Sequence, residues 1–384
     1  MRIRNIIITV FFLFAIVLPM VLFARYKEDS ELLYVENRKP AAKPEFTADN
    51  LFNHDYFGRL EDYLKDAFIG RNEIVELDTF INKSVLFRPV VNDIYCGKNM
   101  YLSRWKRVKP YDYQKDLDYM SEGYGELSRR LKDRGIDFIY VGIPEHSYAF
   151  ADDYPSYLYN KYNEWKEIED SFFDALHQKD VQCIRMSEKI KNVDSEYTKT
   201  DHHFSYVGAK NVYDEIIKRI NEVTDYNLDS DVQLIQGPEP FKGSYARKLF
   251  FLGDIHDDYF VYAPDFPFER FDNGSKSENK LFFQDNNKYL GNMTYGIYMN
   301  GDVATTEIHT NRDHLPNILV YGDSFTNPLE TLLVRNADNF CSVDFRYQRD
   351  KGLMDFIEAF HPDIVLCIRD NLNYLKRDGN GILN

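Results

Sequence analysis

NILVYGDSFTNPLE, residues 317 to 330, decides the fold. An apolar run ends at Tyr321, Gly322 and Asp323 carry turn chemistry, and Ser324 is displayed at the tip. Asn327, Pro328 and Glu330 then read as an N-cap, a first-turn proline and an N3 acid, so a helix is expected to begin there. A short apolar strand turning sharply into a helix is the repeating unit of a parallel sheet covered on both faces. Further strand candidates are Ile136–Ile143, Val181–Met186, Phe340–Phe345 and Asp363–Ile368, most of them followed by helix-like stretches. The fold class predicted is α/β, a three-layer, flavodoxin-like parallel sheet. Across residues 226–311 the alternation breaks into aromatic, Gly- and Asp-rich sequence, which reads as a β-rich insertion in the same domain.

Toward the N-terminus, Ile6 to Ala24 form a nearly uninterrupted apolar run, and about 20 such residues in a helix span the hydrocarbon core. A cleaved signal peptide would have a shorter apolar region and a small-x-small site, which Leu22-Phe23-Ala24-Arg25 lacks. The organisation expected is a transmembrane anchor over residues 1–25, a linker over 26–49 with two prolines in ENRKPAAKPEF, and one catalytic domain over 50–384. Arg2 and Arg4 are nearly balanced by Arg25 and Lys27, so charge does not orient the anchor. The short tail before the run favours a single-pass protein of the cell membrane with its domain on the extracytoplasmic side. Leu51, Leu60, Leu64, Phe68, Ile74, Leu77 and Ile81 recur at helical intervals and predict a helical hairpin or a long bent helix. VNDIYCGKNMYL predicts a β-hairpin turning at Gly97-Lys98-Asn99.

The 384-residue chain has 44% hydrophobic residues and a net charge of −15. It can build a sizeable core and offers no general basic surface for nucleic acid. Cys96, Cys183, Cys341 and Cys367 show no CxxC spacing, and the last three sit in apolar runs where a free thiol behaves as a small hydrophobe. Neither a zinc site nor a disulfide framework is supported.

A serine on a strand-to-helix turn above the sheet has the exposure an acyl-transfer nucleophile needs, together with nearby backbone N–H groups. It also needs a base, and the base needs a third group to orient it. YTKTDHHFSYVGA, residues 197 to 209, contains both. In an extended segment Asp201 and His203 share one side while His202 points away. Asp201 would hold one ring nitrogen of His203 and leave the other for Ser324. Ser205 reads as the N-cap of the following helix, whose positive end would help keep His203 neutral. Plainer readings stand beside this one: Gly-Asp-Ser as an ordinary turn, Asp201 and His203 as helix-entrance hydrogen bonding or metal ligands. Ser244 in FKGSY is a rival nucleophile without a strand-turn-helix setting.

GDSFT resembles the serine block of the SGNH (GDSL-type) hydrolases, and TDHHFS resembles the motif of the DHHW family, with Phe204 standing where that family has tryptophan. Together they are similar to the catalytic domain of the alginate O-acetyltransferases, whose triad runs Asp, His, Ser in this chain order. The resemblance covers most of the chain from residue 50 onward. Ordinary SGNH hydrolases place the serine first, so the resemblance implies a circularly permuted SGNH-like sheet. It also implies that Asn371, or Arg369 before it, joins the Ser324 backbone N–H in binding the oxyanion, although IVLCIRDN lacks the Gly-x-Asn-Asp form of that block. His146 in IPEHSY stands where related sequences tend to carry lysine. The implied activity is transfer of an acyl group, acetyl above all, onto or off a cell-surface polysaccharide. A multi-pass membrane O-acyltransferase is the implied supplier of that group, and neither cofactor nor metal is required. The alternative class is a catalytically silent glycan-binding or assembly subunit. Asp-His-His also matches the DHH phosphoesterases, but no Asp-x-Asp cluster placed just after a strand precedes it to hold two cations.

Overall fold

All five apolar runs form strands of one eight-stranded sheet in the computed structural model. It describes the chain except residues 1, 26–32, 34, 37, 48–54, 69, 106–111, 279, 284–287 and 381–384. In chain order the strands are β1 (Asp137–Ile143), β2 (Gln182–Arg185), β3 (Glu269–Asp272), β4 (Ser275–Ser277), β5 (Thr305–His309), β6 (Ile318–Gly322), β7 (Asn339–Val343) and β8 (Ile364–Asp370). Their spatial order is β2-β1-β8-β6-β7-β5-β3-β4. Neighbours from β2 to β7 run parallel. The β-rich stretch adds β5, β3 and β4 antiparallel at one edge.

Counted from β6, the strand that leads to Ser324, the parallel part reads 2-1-3-4-5 across the sheet, the flavodoxin-like order. The chain enters at the fourth strand of that order, which is the expected circular permutation. The switch point therefore lies between β6 and β8. Ligand crevices of open α/β sheets form there, at the carboxyl ends of the strands.

Helices cover both faces of the parallel part because its central strands β1, β6 and β8 are buried on both. Ile139 and Val141 of β1 and Val320 of β6 pack with Val212 and Ile216 of α6 (Tyr206–Val223) and Leu329 of α7 (Thr326–Leu333). The alternate residues, Phe138, Tyr140 and Leu319, pack with Leu127 of α4 (Gln114–Lys132), Phe172 of α5 (Tyr162–Gln178) and Ile357 of α8 (Leu353–Phe360). Each large apolar side chain fully buried in these layers contributes about 1.5–3 kcal/mol. Cys183, Cys341 and Cys367 are buried free thiols in β2, β7 and β8. In the inserted stretch, Tyr259, Tyr262 and Tyr298 are buried in the core.

At the end of β6 the sequence expectation for the helix start needs correction. Helix α7 begins at Thr326, so Asn327 and Pro328 lie inside its first turn, and Asn327 reaches Asp302 Oδ1 at 3.1 Å. Asp323 ties the turn down instead: its Oδ1 accepts the Phe325 N–H at 3.1 Å and its Oδ2 the Asp370 N–H at 3.1 Å. Gly322 permits the close approach of β8, because a Cβ there would lie 2.2 Å from the Ile368 carbonyl oxygen and 2.7 Å from Thr326 Cγ2. Backbone cannot yield as a side chain can, so Gly322→Ala is expected to destabilise by about 3 kcal/mol in urea unfolding. A loss below about 0.5 kcal/mol, the level of an ordinary surface change, would show that the turn relaxes freely.

The chain divides into two compact units, Met1–Asn92 with Arg247–Leu252 and Asp93–Ala246 with Gly253–Asn384. In the first, the apolar N-terminal run is helical as α1 (Arg2–Arg25), with Ile6, Ile7, Phe11, Phe12 and Phe14 exposed. Among the described residues, however, no helix is long and apolar enough to cross a membrane. The helical intervals over 60–81 form α2 (Asp55–Asp66) and α3 (Arg71–Phe80), and Leu51 lies outside the described residues. Part of the expected linker over 26–49 also lies outside them. Within the rest, Arg38 pairs with Asp66 through two bonds of 2.6 and 2.7 Å, so this stretch is tied to α2. In the second unit, Ile94–Cys96 and Tyr101–Ser103 form the expected hairpin.

Candidate active site

Three segments distant in sequence meet at the carboxyl end of β6. Residues 197–205 lead into α6, and Ser205 caps that helix by accepting the Gly208 N–H at 3.1 Å. His203 and Asp201 are buried just before it, at 3% and 1% exposure. His203 Nδ1 lies 2.7 Å from Asp201 Oδ1, and His203 Nε2 lies 2.8 Å from Ser324 Oγ, 121 positions downstream. The carboxylate thus sets the tautomer: Nδ1 carries the hydrogen and Nε2 faces the serine hydroxyl.

The expected separation of His202 from this face does not hold. Asp201 Oδ1 accepts the backbone N–H groups of His202 at 2.6 Å and His203 at 3.2 Å, folding the segment into an Asx-type turn. A bent segment loses the two-residue alternation of a strand. Both rings therefore gather around one carboxylate, with centroids 3.7 Å apart. His202 Nδ1 lies 3.1 Å from Asp201 Oδ1 and 2.7 Å from Ser244 Oγ, and its side chain remains 39% exposed. Asp201, His202 and His203 each offer one ligand atom, all within 4.8 Å of one another. Asp201 is already saturated by N–H donors, including Ser244 N–H on Oδ2 at 2.6 Å, and a cation would have to displace them. Gly243 makes this closeness possible, since a Cβ there would sit 2.0 Å from Asp201 Oδ2.

Burial pushes the His203 imidazole down to about 4, the neighbouring His202 adds to that, and Asp201 only partly opposes it. The ring is accordingly neutral near pH 7, as a general base must be. Burial alone would raise the Asp201 carboxyl, but the two histidines outweigh it and hold the group well below the carboxylate range. In the resting protein an imidazolium exists at His203 only in acid; at neutral pH the N–H groups aimed at Asp201 keep that carboxylate ionised.

Tyr295, from the inserted stretch, is the partner that sequence reasoning missed. Its ring stacks on His203 with centroids 3.8 Å apart and planes 6° off parallel, and its hydroxyl donates to the Ser324 carbonyl oxygen at 2.6 Å. One tyrosine among 29 gives no sequence signal for this. Phe204 fills its place by packing on Phe325 at 5.1 Å between centroids.

The two candidate oxyanion groups part company. Asn371 follows β8, is 1% exposed, and accepts the Glu145 N–H on Oδ1 at 2.7 Å. That bond identifies Oδ1 as the acceptor end, and the Nδ2 amino group is buried without a partner. Arg369 leaves β8 two residues earlier, with the parity of Val365 and Cys367, which belong to the opposite core layer. Its side chain sits among Tyr124, Tyr140, Cys367 and Asp323, and the oxyanion role expected of it has no support. His146 is a buried structural residue: Nε2 meets the Thr198 carbonyl at 2.8 Å, and burial pushes the ring down to about 3.

A family model described as the SGNH hydrolase-like domain of the acetyltransferase AlgX matches residues 97–289. That span contains Asp201 and His203 and ends before Ser324. No curated protein matches the sequence. Among solved structures, Bacillus cereus PatB1 is similar with a TM-score of 0.64 at 20% identity, covering 76% of this chain and 99% of that one. A DHHW family protein from Eubacterium siraeum is similar with a TM-score of 0.54 at 16% identity, covering 76% and 95%. At these identities the likeness is one of fold.

Proposed function

Since this chain belongs to the family of the SGNH hydrolase-like domain of the acetyltransferase AlgX, we propose that it transfers an acyl group, acetyl in the first instance, to a hydroxyl of a cell-surface polysaccharide. The observation that carries this reading is the continuous line from Asp201 Oδ1 through His203 to Ser324 Oγ, with steps of 2.7 and 2.8 Å. Ser324 Oγ attacks the acyl carbonyl carbon while His203 Nε2 takes its proton. The Ser324 backbone N–H and Asn371 Nδ2 bind the developing oxyanion, and Asp201 balances the imidazolium. Collapse expels the donor's leaving group, which receives the proton and leaves acyl-Ser324. A sugar hydroxyl then gives its proton to His203 and attacks in turn; the acyl–Ser324 bond breaks, His203 Nε2 returns the proton to Ser324 Oγ and the new ester leaves, with water as the competing acceptor.

Tyr295 steadies both ends of this line. Tyr295→Phe keeps the stacked ring but loses the bond to the Ser324 carbonyl, so a fall of about tenfold or less in kcat is expected. Tyr295→Leu also removes the π face that attracts the imidazolium, for a further loss of about 2- to 30-fold. Equal rates for the two variants would mean that the stack contributes nothing to the reaction.

The exposed apolar side chains of α1 support a membrane anchor, with the enzyme on the extracytoplasmic side. A multi-pass membrane O-acyltransferase is the partner that would supply the acyl group there. Removing residues 1–25 is expected to release the chain from the membrane fraction. The activity is tested with the full chain in detergent, an activated acetyl ester and a polysaccharide acceptor, analysing the acceptor by mass spectrometry. Acetylated acceptor that depends on Ser324 is the expected product. No hydrolysis and no transfer from any activated ester would overturn the reading.

A further inference from the structure

Arg369, displaced from the expected oxyanion site, has an environment that calls for a partner. The residue is 2% exposed, its Nε has no hydrogen-bond partner, and it forms no ion pair among the described residues. The other fully buried arginine shows what a satisfied one looks like. Arg270 donates to Asp272 Oδ1 at 2.8 Å, to the Met299 carbonyl at 2.8 Å and to the Lys280 carbonyl at 3.1 Å. Arginine keeps its charge at any ordinary pH, and a buried charge without hydrogen bonds is costly.

Arg369 lines a cavity of about 480 Å³ at the carboxyl ends of β7 and β8. Arg346, Asn373, Lys376, Arg377 and Asp116 are among the other walls. Most of these charges are internally matched. Arg377 pairs with Asp116 at 2.8 Å, Arg346 with Asp344 at 2.6 Å, and Asp378, also on the wall, with Arg349 at 2.5 Å. Arg369 at the back and exposed Lys376 at the rim remain as unmatched cations among the described residues. Asp323 lies near enough to act on Arg369 electrostatically, yet it spends its oxygens on the Phe325 and Asp370 amides and Asn373 Nδ2.

We propose that this cavity is a second binding site, separate from the Ser324 centre, for a small oxyanion: a carboxylate or phosphate borne by a sugar, held by Arg369 and Lys376. The planar guanidinium fork matches either group through paired N–H bonds, and the cavity leaves room for the attached ring. An anion there would also give the buried Arg369 Nε–H the acceptor it lacks among the described residues. The site does not depend on the acyl-transfer reading.

Isothermal titration of the full-length chain in detergent, with inorganic phosphate and with glucuronate, tests it. Saturable binding of at least one anion is expected, and the one bound names the source. Arg369→Gln is expected to weaken that binding by at least about tenfold, as loss of a charge-assisted pair does. Lys376→Glu, an exposed change that leaves the fold alone, should weaken it as well and decides the matter if Arg369→Gln fails to fold. The proposal is overturned if neither anion binds the wild type, or if binding is unchanged in Lys376→Glu and in folded Arg369→Gln.

Discussion

Ser324→Ala is expected to lower acetyl-ester turnover by about 10³-fold or more while leaving the unfolding temperature nearly unchanged. The serine hydroxyl has a catalytic partner and little structural one: its Oγ bonds His203 Nε2 at 2.8 Å. The alanine variant leaves that nitrogen as an acceptor on a neutral ring, a loss of about 1 kcal/mol. The turn itself is held by Asp323 and by the Tyr295 hydroxyl on the Ser324 carbonyl, neither of which the substitution touches. Ser244→Ala is the matched control. Ser244 Oγ bonds His202 Nδ1 at 2.7 Å, the same nitrogen that faces Asp201, so no ring nitrogen is set to relay its proton. Its removal should cost about tenfold or less. Reversal of the two losses would move the nucleophile to Ser244.

Asp201→Asn combines a similar loss of activity with a large loss of stability. One oxygen of Asp201 accepts His203 Nδ1–H and the amides of residues 202 and 203, and the other accepts the Ser244 amide. An asparagine has only one acceptor, so its amino group must face an N–H donor on one side. Leaving such groups buried and unpaired is expected to destabilise by about 2–4 kcal/mol, and misorienting His203 lowers kcat by about 10⁴-fold. Melting curves and steady-state rates on the same preparation separate the two effects.

The same residues fix the pH response. Because burial holds His203 at about 4, its basic form is complete well below neutrality. kcat/KM is expected to rise with pH through about 4 and stay level toward pH 7. Stability follows the same sign. His203 and His146 titrate at about 4 and about 3 in the folded chain, below the unfolded value of about 6.5. The unfolded chain therefore binds more protons throughout that window. Their contribution is complete above about pH 6.5 and is lost as pH falls toward 4 and then 3. Asp201, whose carboxyl is held low, acts in the same direction as it is protonated. A denaturation midpoint that improves on acidification from pH 6.5 to 4.5 would contradict burial as the cause.

Much of the fold was legible because its strands are buried on both faces and read as continuous apolar runs, from Ile139 and Val141 to Leu366 and Ile368. The strands β3, β4 and β5 were legible only as a β-rich stretch, since each is short and only partly buried. Asp201, His203 and Ser324 could be nominated from residue type and setting, with the resemblance of GDSFT and TDHHFS to known motifs favouring them over plainer readings; the structure brings the three side chains together. His202 could not, because an Asx-type turn made by Asp201 overrides strand alternation, and nothing in DHH announces that turn. Tyr295 and the Glu145 amide that orients Asn371 reach the site through tertiary packing, at separations no local pattern encodes. Arg369 was misplaced for a related reason. Position along β8 put it beside Asn371, and strand parity sent its side chain to the other layer.

The most direct test is to find where the acyl group rests. The full-length chain is incubated with an activated acetyl ester, quenched in acid, digested and mapped by mass spectrometry. Acetyl on the peptide containing Ser324, absent from Ser324→Ala and formed far more slowly in His203→Ala, is the predicted result. Acetyl on another residue, or undiminished turnover by the Ser324→Ala chain, would contradict the account.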